Sequence, residues 1–167
     1  GRYRLPTDFG RFDFTLAGNY NETTVDKTPG TPAGLSIPVS PNFLFDRSNI
    51  LAFEDGTPKT KVVGGLDWTL GDWAVSAKAT YYASVLVANN ASTLDYETGD
   101  HTLFDLEARY QFPYGVGLAV GANNLFDEYP TYTPTTLNGA TGSVGFPSYS
   151  PFGFNGGSWY ARTRIKF

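Results

Sequence analysis

The sequence has no cysteine and no methionine among its 167 residues. Without Cys, a disulfide framework, a thiolate metal site and a Cys nucleophile are all excluded. Without an initiating Met, we expect the chain to be a processed or partial polypeptide. No apolar run reaches the roughly 18 residues of a transmembrane helix, and no signal peptide is recognisable at the start.

Basic residues and histidine are also scarce. Twelve Lys and Arg stand against 16 Asp and Glu, which gives a net charge of −4 and disfavours nucleic acid as a partner. His101 is the only histidine, and no Ser or acidic residue at a suitable spacing completes a catalytic set around it. Asp46, Glu54 and Asp55 lack the spacing of a calcium loop. We therefore expect no enzymatic activity, no cofactor and no metal site.

Glycine, proline and aromatic residues are abundant instead. The chain has 19 Gly, 11 Pro and 16% aromatics, and it is poor in strong helix formers, which favours β structure. Long stretches alternate apolar and polar side chains with the period of a strand. The pattern predicts strands over 10–21, 60–70, 73–86, 102–112, 116–127 and 157–167, with 1–5 as the end of an earlier strand.

The predicted connections alternate in length. Short turns fall at 6–9, 71–72 and 113–115, and long loops fall at about 22–59, 87–101 and 128–156. Long loops are uncommon in compact soluble domains, yet here all of them fall at the same end of the strands. Short periplasmic turns opposite long extracellular loops are the layout of outer-membrane barrels.

The strand patterns favour a membrane barrel over a soluble antiparallel sheet. The strands have the roughly 9–11 residues needed to cross a bilayer at a tilt, and their charged residues fall on one face only. Aromatics near the strand ends on the apolar face fit an interfacial girdle, namely Phe12, Trp68, Trp73, Phe112, Trp159 and Phe167. We therefore predict an all-β fold, an antiparallel transmembrane β-barrel that contacts lipid in the outer membrane of a Gram-negative cell.

The number of predicted strands is too small for a complete barrel. Six strands and a remnant are fewer than the eight of the smallest single-chain barrels. Either the chain is the C-terminal piece of a larger barrel, or the 22–59 loop hides short strands around Leu35–Val39 and Ile50–Phe53. Proline residues lie in and around the first of these candidates, and Pro is confined to strand edges. We favour the larger barrel.

Two motifs near the C-terminus point to a family. The stretch "VGANNLFDEYP" over 120–130, together with the final "GSWYARTRIKF", resembles the penultimate and last strands of TonB-dependent outer-membrane receptors. That family carries an Asn-Leu-Phe-Asp stretch followed by Tyr-Pro, and it ends on a strand with aromatic and basic residues and a terminal Phe. The matching residues are Asn123, Asn124, Leu125, Phe126, Asp127, Tyr129, Pro130, Trp159, Tyr160, Arg162, Arg164 and Phe167.

The resemblance implies that residues 1–167 are the C-terminal part of a 22-stranded barrel with a plugged lumen. This chain has no plug domain, so the remaining barrel and the plug are implied as partners. The resemblance also implies energy-coupled uptake of a scarce bulky nutrient, foremost a ferric siderophore, driven by a TonB-type inner-membrane energy-transducing complex. The alternatives are a carbohydrate or other nutrient receptor of the same family and a passive outer-membrane pore.

Charged residues on the polar face are candidates for the barrel lumen. Arg11, Asp13, Arg162, Arg164 and Lys166 lie towards the short-turn end of their strands. Cross-strand ion pairs and contacts to a plug are both expected there. Their position favours a plug contact over a substrate site.

Aromatic residues of the long loops are the candidates for substrate binding. The set with its one neighbouring arginine is Phe43, Phe45, Phe53, Tyr129, Tyr132, Phe146, Tyr149, Phe152, Phe154 and Arg47. Aromatic stacking with one cation would suit an aryl-rich iron chelate or a sugar. The residues selected for this role are Phe43, Phe45, Arg47, Tyr129, Tyr132, Tyr149 and Phe152. Packing of one loop against another is the alternative role.

The final strand has a different predicted role. One of its faces is apolar from Trp159 to Phe167, and the other is basic, with Arg162, Arg164 and Lys166. In outer-membrane barrels, a last strand ending in Phe resembles the signal read by the barrel-assembly machinery. Trp159, Ile165 and Phe167 are the expected assembly signal, and the strand should close the barrel by pairing with the first strand.

Overall fold

A computed structural model describes residues 1–28, 45–137, 145–147 and 150–165. The strands and the α-helix in these ranges are β1 (Arg2–Thr7), β2 (Gly10–Tyr20), α1 (Arg47–Glu54), β3 (Thr60–Leu70), β4 (Trp73–Tyr82), β5 (Leu86–Val87), β6 (Tyr96–Glu97), β7 (His101–Gln111), β8 (Val116–Asn123) and β9 (Ser158–Ile165). Short 3-10 turns lie at Ser92–Leu94 and Pro113–Gly115. None of the helices in the described ranges is long and apolar enough to span a membrane.

The long strands form one seven-stranded antiparallel sheet in the order β1-β2-β3-β4-β7-β8-β9. Each long strand pairs with the next one along the chain, so the sheet is a simple meander with β1 and β9 at its edges. In β2, Phe14 faces Tyr3 of β1 and Leu66 of β3, which shows that apolar residues meet apolar residues across the pairs. The predicted antiparallel β architecture is confirmed.

The two faces of the sheet differ in chemistry because side chains alternate along each strand. On the apolar face, Leu16, Trp73 and Trp159 expose 61%, 53% and 75% of their surface. Among the described residues, the buried apolar side chains are few and small, namely Val85, Ala119 and Ala122. A soluble sandwich would instead bury one apolar face in a core. The exposed apolar face therefore needs an apolar partner such as lipid.

Tight turns connect the strands at one end of the sheet. β1 runs on through Thr7, so the first turn is only residues 8–9 rather than 6–9. Gly10 and Gly71 take positive φ angles of 106° and 54°, which glycine adopts without the clash of a Cβ atom. Trp68 Nε1 donates to the Phe9 carbonyl over 2.8 Å, which ties the first turn to β3.

The opposite end of the sheet holds the three long connections, and two of them carry secondary structure of their own. α1 lies inside the predicted 22–59 loop, and β5 pairs with β6 next to and inside the predicted 87–101 loop. The alternative of a hidden strand around Ile50–Phe53 is wrong, because these residues are helical. The other hidden strand, Leu35–Val39, lies outside the described residues.

Two strands end earlier than their alternation predicts. The strand over 73–86 ends at Tyr82, because Asp100 accepts hydrogen bonds from Tyr81 Oη (2.9 Å) and Ser84 N (2.8 Å) and draws the chain into the loop. The strand over 116–127 ends at Asn123. The following turn contains Asn124 and Asp127 with φ of 50° and 58°, outside the β region.

We predict that an arginine is tolerated differently on the two faces of β3. Leu66→Arg places a charge on the apolar face near the middle of the strand and should destabilise the folded receptor by about 2–4 kcal/mol in a bilayer. Val63→Arg, on the polar face of the same strand, should lower the free energy of unfolding much less. Urea unfolding of the complete receptor in lipid vesicles measures both, and equal costs would contradict the two-faced arrangement.

Candidate functional site

The polar face arranges its charges in two neighbouring rows. The register aligns Arg11, Arg109 and Arg162 across the sheet, with Thr69, Ala74 and Ala119 between them, and we call this the basic row. The next row, towards the long loops, contains the carboxylates of Asp13, Asp67 and Glu107, together with Arg4, Ser76, Gly121 and Tyr160, and we call it the acidic row. Opposite charges of the two rows thus come within ion-pair distance, both along one strand (Arg11 and Asp13) and across an intervening strand (Arg162 on β9 and Glu107 on β7).

Glu107 is the centre of this network. Arg162 Nη2 donates to both of its oxygens at 2.6 and 2.8 Å, and Tyr160 Oη donates at 2.8 Å. Arg109 Nε lies 3.5 Å from the same carboxylate, and Arg109 Nη2 donates to Ser76 Oγ over 2.9 Å. Only 8% of Glu107 is exposed, so its charge is almost fully enclosed by its partners. Glu107 therefore joins β7 to β9.

The other charges of this face form smaller pairs. Asp13 accepts from Arg4 Nε at 2.6 Å and from Arg11 Nε at 2.8 Å. Lys78 Nζ lies 2.7 Å from Asp105 Oδ2, nearer the long loops. The structure thus places the predicted lumen residues Arg11, Asp13, Arg162 and Arg164 on one polar face, three of them in ion pairs. Lys166 lies outside the described residues.

The Tyr160 ring covers Gly121 on the neighbouring strand. A Cβ atom added to Gly121 would come within 2.5 Å of the Tyr160 ring and 3.0 Å of the Leu106 carbonyl. Glycine at this position thus lets Tyr160 lie flat across β8 and reach Glu107. This requirement is not visible in the alternation of the sequence.

We predict that Gly121→Ala disturbs this network and destabilises the receptor by about 1–3 kcal/mol through overpacking. Gly64→Ala is the matched control, because a Cβ atom at Gly64 meets no heavy atom within 4 Å. Urea unfolding of the two variants in the same detergent gives the comparison. A Gly121→Ala variant as stable as Gly64→Ala would contradict the close approach of Tyr160.

The motif "NNLFDEYP" has a structural role at the long-loop end. Asn124 is only 6% exposed, and its amide accepts from the Glu128 backbone N–H (2.9 Å) and donates to the Glu128 carbonyl (2.7 Å). Asp127 accepts from the backbone N–H of Gly157 over 2.7 Å. This hydrogen bond fixes the start of β9, thirty residues further along the chain.

His101 connects the turn after β8 to the segment that precedes β7. Its Nδ1 lies 2.7 Å from Glu128 Oε1, and its Nε2 lies 2.8 Å from the Thr98 carbonyl. Both partners only accept hydrogen bonds, so the ring makes both bonds when both nitrogens carry a proton. The edge of the ring also meets Phe152 at a centroid distance of 5.3 Å. The single histidine is therefore a structural link, and no chemical role was predicted for it.

Replacement of Asn124 should release the turn after β8. Asn124→Ala leaves the Glu128 N–H and carbonyl without their partners, at a cost of about 1–3 kcal/mol. Asn123→Ala is the control, because the adjacent Asn123 is exposed on β8. Thermal unfolding of the purified receptor distinguishes the two. A similar loss in both variants would show that the paired amide does not hold the turn.

An ion pair fixes the first long loop to the second. Arg47 donates through Nη1 and Nη2 to the Asp95 carboxylate at 2.9 and 2.5 Å, and its Nη1 also donates to the Asn89 carbonyl. Asp46 caps α1 by accepting from the Asn49 N–H (2.8 Å) and also accepts from Asn90 Nδ2 (2.9 Å). The bidentate hydrogen bonds from Arg47 lower the pKa of Asp95 to about 2.

We expect the Arg47–Asp95 ion pair to make the second long loop, residues 83–100, sensitive to acid. The pKa of Asp95 is lower in the folded than in the unfolded chain. The stability that its ion pair contributes is therefore present above about pH 4 and is lost as the pH falls towards 2. Pepsin cleavage within residues 83–100 should therefore increase between pH 4 and pH 2. In Arg47→Gln, cleavage should already be high at pH 4. Cleavage of the native loop that is independent of pH over this range would contradict the prediction.

A cluster of stacked aromatic rings lies in the third long loop. Phe146 stacks on Tyr132 (centroids 4.6 Å apart), Tyr129 (5.6 Å) and Phe154 (6.1 Å), with interplanar angles of 28° or less. Tyr132 remains 68% exposed, and Phe154 and Tyr129 are 43% and 38% exposed. We call these four residues the aromatic stack. Open ring faces of this kind can receive another flat ring.

The predicted binding residues do not all meet in this stack. Tyr129 and Tyr132 belong to it, whereas Phe152 packs between Tyr82 (5.7 Å) and His101 (5.3 Å). Arg47 is engaged by Asp95, and Phe45 is half-buried just before α1. Phe43 and Tyr149 lie outside the described residues. Phe146 and Phe154, which the prediction did not select, complete the stack.

The described part of the last strand keeps its predicted faces. Trp159 and Ile165 lie on the apolar face of β9 and are 75% and 56% exposed. Phe167 lies outside the described residues. Within the described ranges, no group of His, Asp and Glu side chains is arranged to hold a metal ion.

Comparison with protein families identifies this architecture. The family model described as TonB dependent receptor-like, β-barrel, matches residues 1–125. The chain belongs to the TonB-dependent receptor family. The resemblance noted in the sequence is thus confirmed, and the family match ends at Leu125, within the Asn-Leu-Phe-Asp motif.

Solved receptors of this family share the fold over nearly the whole chain. A mutant ferric enterobactin receptor from Pseudomonas aeruginosa is 16% identical, with a TM-score of 0.55 over 99% of this chain and 21% of that one. A second mutant of that receptor, in complex with enterobactin, gives 15% identity and a TM-score of 0.56 over 99% and 22%. The copper transporter OprC is 16% identical, with a TM-score of 0.52 over 99% of this chain and 22% of that one.

At such low identity, the likeness establishes the fold of the chain and not its ligand. The chain spans about a fifth of the length of each of these solved structures. A search of curated proteins gives no match.

Proposed function

We propose that the chain is part of an outer-membrane receptor that takes up a scarce, bulky nutrient by energy-coupled transport. The observation that carries the proposal is the division of the sheet into three regions within one family fold. One face is apolar and exposed, the other is charged and ion-paired, and the long-loop end carries an exposed aromatic stack. This division suits a receptor rather than an enzyme or a passive pore.

The charged face is proposed to line the lumen and to contact a plug. The basic row lies near the short turns, which correspond to the periplasmic side in this family's layout. The remaining barrel strands would pair with the free edges of β1 and β9, because an unpaired strand edge is costly within a bilayer. The inner-membrane energy-transducing complex would act through the rest of the receptor, and the barrel-assembly machinery through β9.

The proposed cargo is a ferric siderophore, with a carbohydrate as the second candidate. Two of the similar solved structures are of a ferric enterobactin receptor, which supports an iron chelate. The exposed rings of Tyr129, Tyr132 and Phe154 support either candidate, because aryl and sugar rings both stack on aromatic faces. Arg47 does not contribute a free cation, since Asp95 holds it.

Binding and uptake by the complete receptor test the proposal. Tyr132→Ala should weaken ligand binding by about three- to tenfold, because the ligand loses its contact with one aromatic ring. Tyr114→Ala is the matched control, because Tyr114 is 98% exposed at the opposite end of the sheet. Titration calorimetry with ferric chelates and with oligosaccharides measures the affinities.

Uptake of labelled ligand by whole cells then distinguishes a receptor from a pore. We expect uptake to stop when the proton-motive force of the inner membrane is dissipated. Uptake that persists without this energy source, together with equal affinities of the Tyr132→Ala and Tyr114→Ala variants, would show a passive pore instead.

A further inference from the structure

The charge of the chain is distributed very unevenly between its strands and its long loops. The long loops, residues 21–59, 83–100 and 124–157, contain ten carboxylates: Glu22, Asp26, Asp46, Glu54, Asp55, Asp95, Glu97, Asp100, Asp127 and Glu128. They contain only three basic side chains: Lys27, Arg47 and Lys59. The loops therefore carry a net charge of −7, and the strands with the short turns carry +3.

The few cations of the loops are largely used inside the structure. Arg47 is held by Asp95 at 2.5 Å, and Lys59 Nζ lies 2.7 Å from Asp55 Oδ1. Lys61, at the start of β3, lies over the Tyr82 ring, 4.8 Å from its centroid. These side chains offer little positive charge to a ligand, and the unbalanced carboxylates leave a negative potential at this end of the sheet.

The aromatic stack lies within this negative region. Asp127 is close enough to Tyr129 to raise the pKa of that phenol above its usual value, chiefly through its charge. The hydrogen bond between Tyr96 Oη and Thr133 Oγ1, 3.0 Å, brings β6 and its Glu97 alongside the segment that carries Tyr132. The rings are therefore an uncharged contact surface next to Asp127, in loops whose net charge is negative.

We infer that this end of the receptor takes an uncharged bulky ligand with flat ring faces, and that it disfavours an anionic iron chelate. The inference rests on the proposed uptake function and narrows its cargo. Stacking on Tyr129, Tyr132, Phe146 and Phe154 requires no ligand charge, whereas an anion would approach against seven excess negative charges. The carboxylates can in addition accept hydrogen bonds from ligand hydroxyl groups.

Two sources have this shared chemistry, a neutral iron chelate and an oligosaccharide. We would titrate the complete receptor with a neutral ferric tris-tropolonate, whose ligands are flat aromatic rings, a neutral maltooligosaccharide and a trianionic ferric tris-catecholate. The inference predicts tight binding of one neutral probe, with an affinity that changes little between about 20 and 500 mM salt. The probe that binds identifies the source. The trianionic probe should bind weakly and should gain affinity as salt screens the repulsion.

A charge reversal near the stack gives a second, independent readout. Glu97 is exposed, and its carboxylate accepts a 3.3 Å hydrogen bond from Ser84 Oγ. Glu97→Lys should strengthen binding of the trianionic probe by about two- to fourfold at low salt and leave the neutral probe unchanged. Glu97→Gln, the neutral control, should give about half of that change in free energy.

The outcomes separate this inference from the proposed function. Tightest binding of the trianionic chelate, weakening as salt is added, would overturn the inference and leave energy-coupled uptake standing. Binding of none of the three probes, with no effect of Tyr132→Ala on growth supported by any of them, would overturn the proposed function and the inference with it.

Discussion

One register of backbone pairing holds the charges of the long strands on a single face. From β2 to β9, each antiparallel pair aligns Asp13, Asp67 and Glu107 in one row and Arg11, Arg109 and Arg162 in the next. A shift by one residue in any pair would move such charges to the apolar face. The ion pairs of Glu107 with Arg162, and of Asp13 with Arg4 and Arg11, reinforce the same register. The polar network and the apolar surface therefore depend on each other.

The long-loop end is held together by different interactions. It has little apolar core, and among the described residues Val85 is the largest fully buried aliphatic side chain. Side chains bonded to backbone groups replace that core: Asn124 to Glu128, Asp127 to Gly157, and Asp46 to the first turn of α1. These bonds, with the Arg47–Asp95 pair, hold the described parts of the loops in place, and several aromatic rings remain exposed. A rim with fixed side chains and exposed rings is suited to binding.

The sequence predicted the sheet well because alternation reports directly on its two faces. The strands over 60–70 and 102–112 differ from the observed β3 and β7 by at most one residue at each end. The early end of β4 could not be predicted, because it depends on hydrogen bonds that Tyr81 and Ser84 donate to Asp100, which lies further along the chain. Nor could the sequence predict the Arg47–Asp95 pair or the aromatic stack around Phe146. Such contacts join distant loops and have no periodic signal.

Residue-by-residue accessibility along β3 tests the central claim most directly. Residues 1–167 contain no cysteine, so once any cysteine elsewhere in the complete receptor is replaced, single cysteines at successive positions from Val62 to Trp68 can each carry one spin label in lipid. We expect contact with dissolved oxygen, which concentrates in the bilayer, to be high at the even positions and low at the odd positions. Accessibility without this two-residue alternation, or equal contact of both faces with a water-soluble relaxant, would contradict the two-faced membrane sheet.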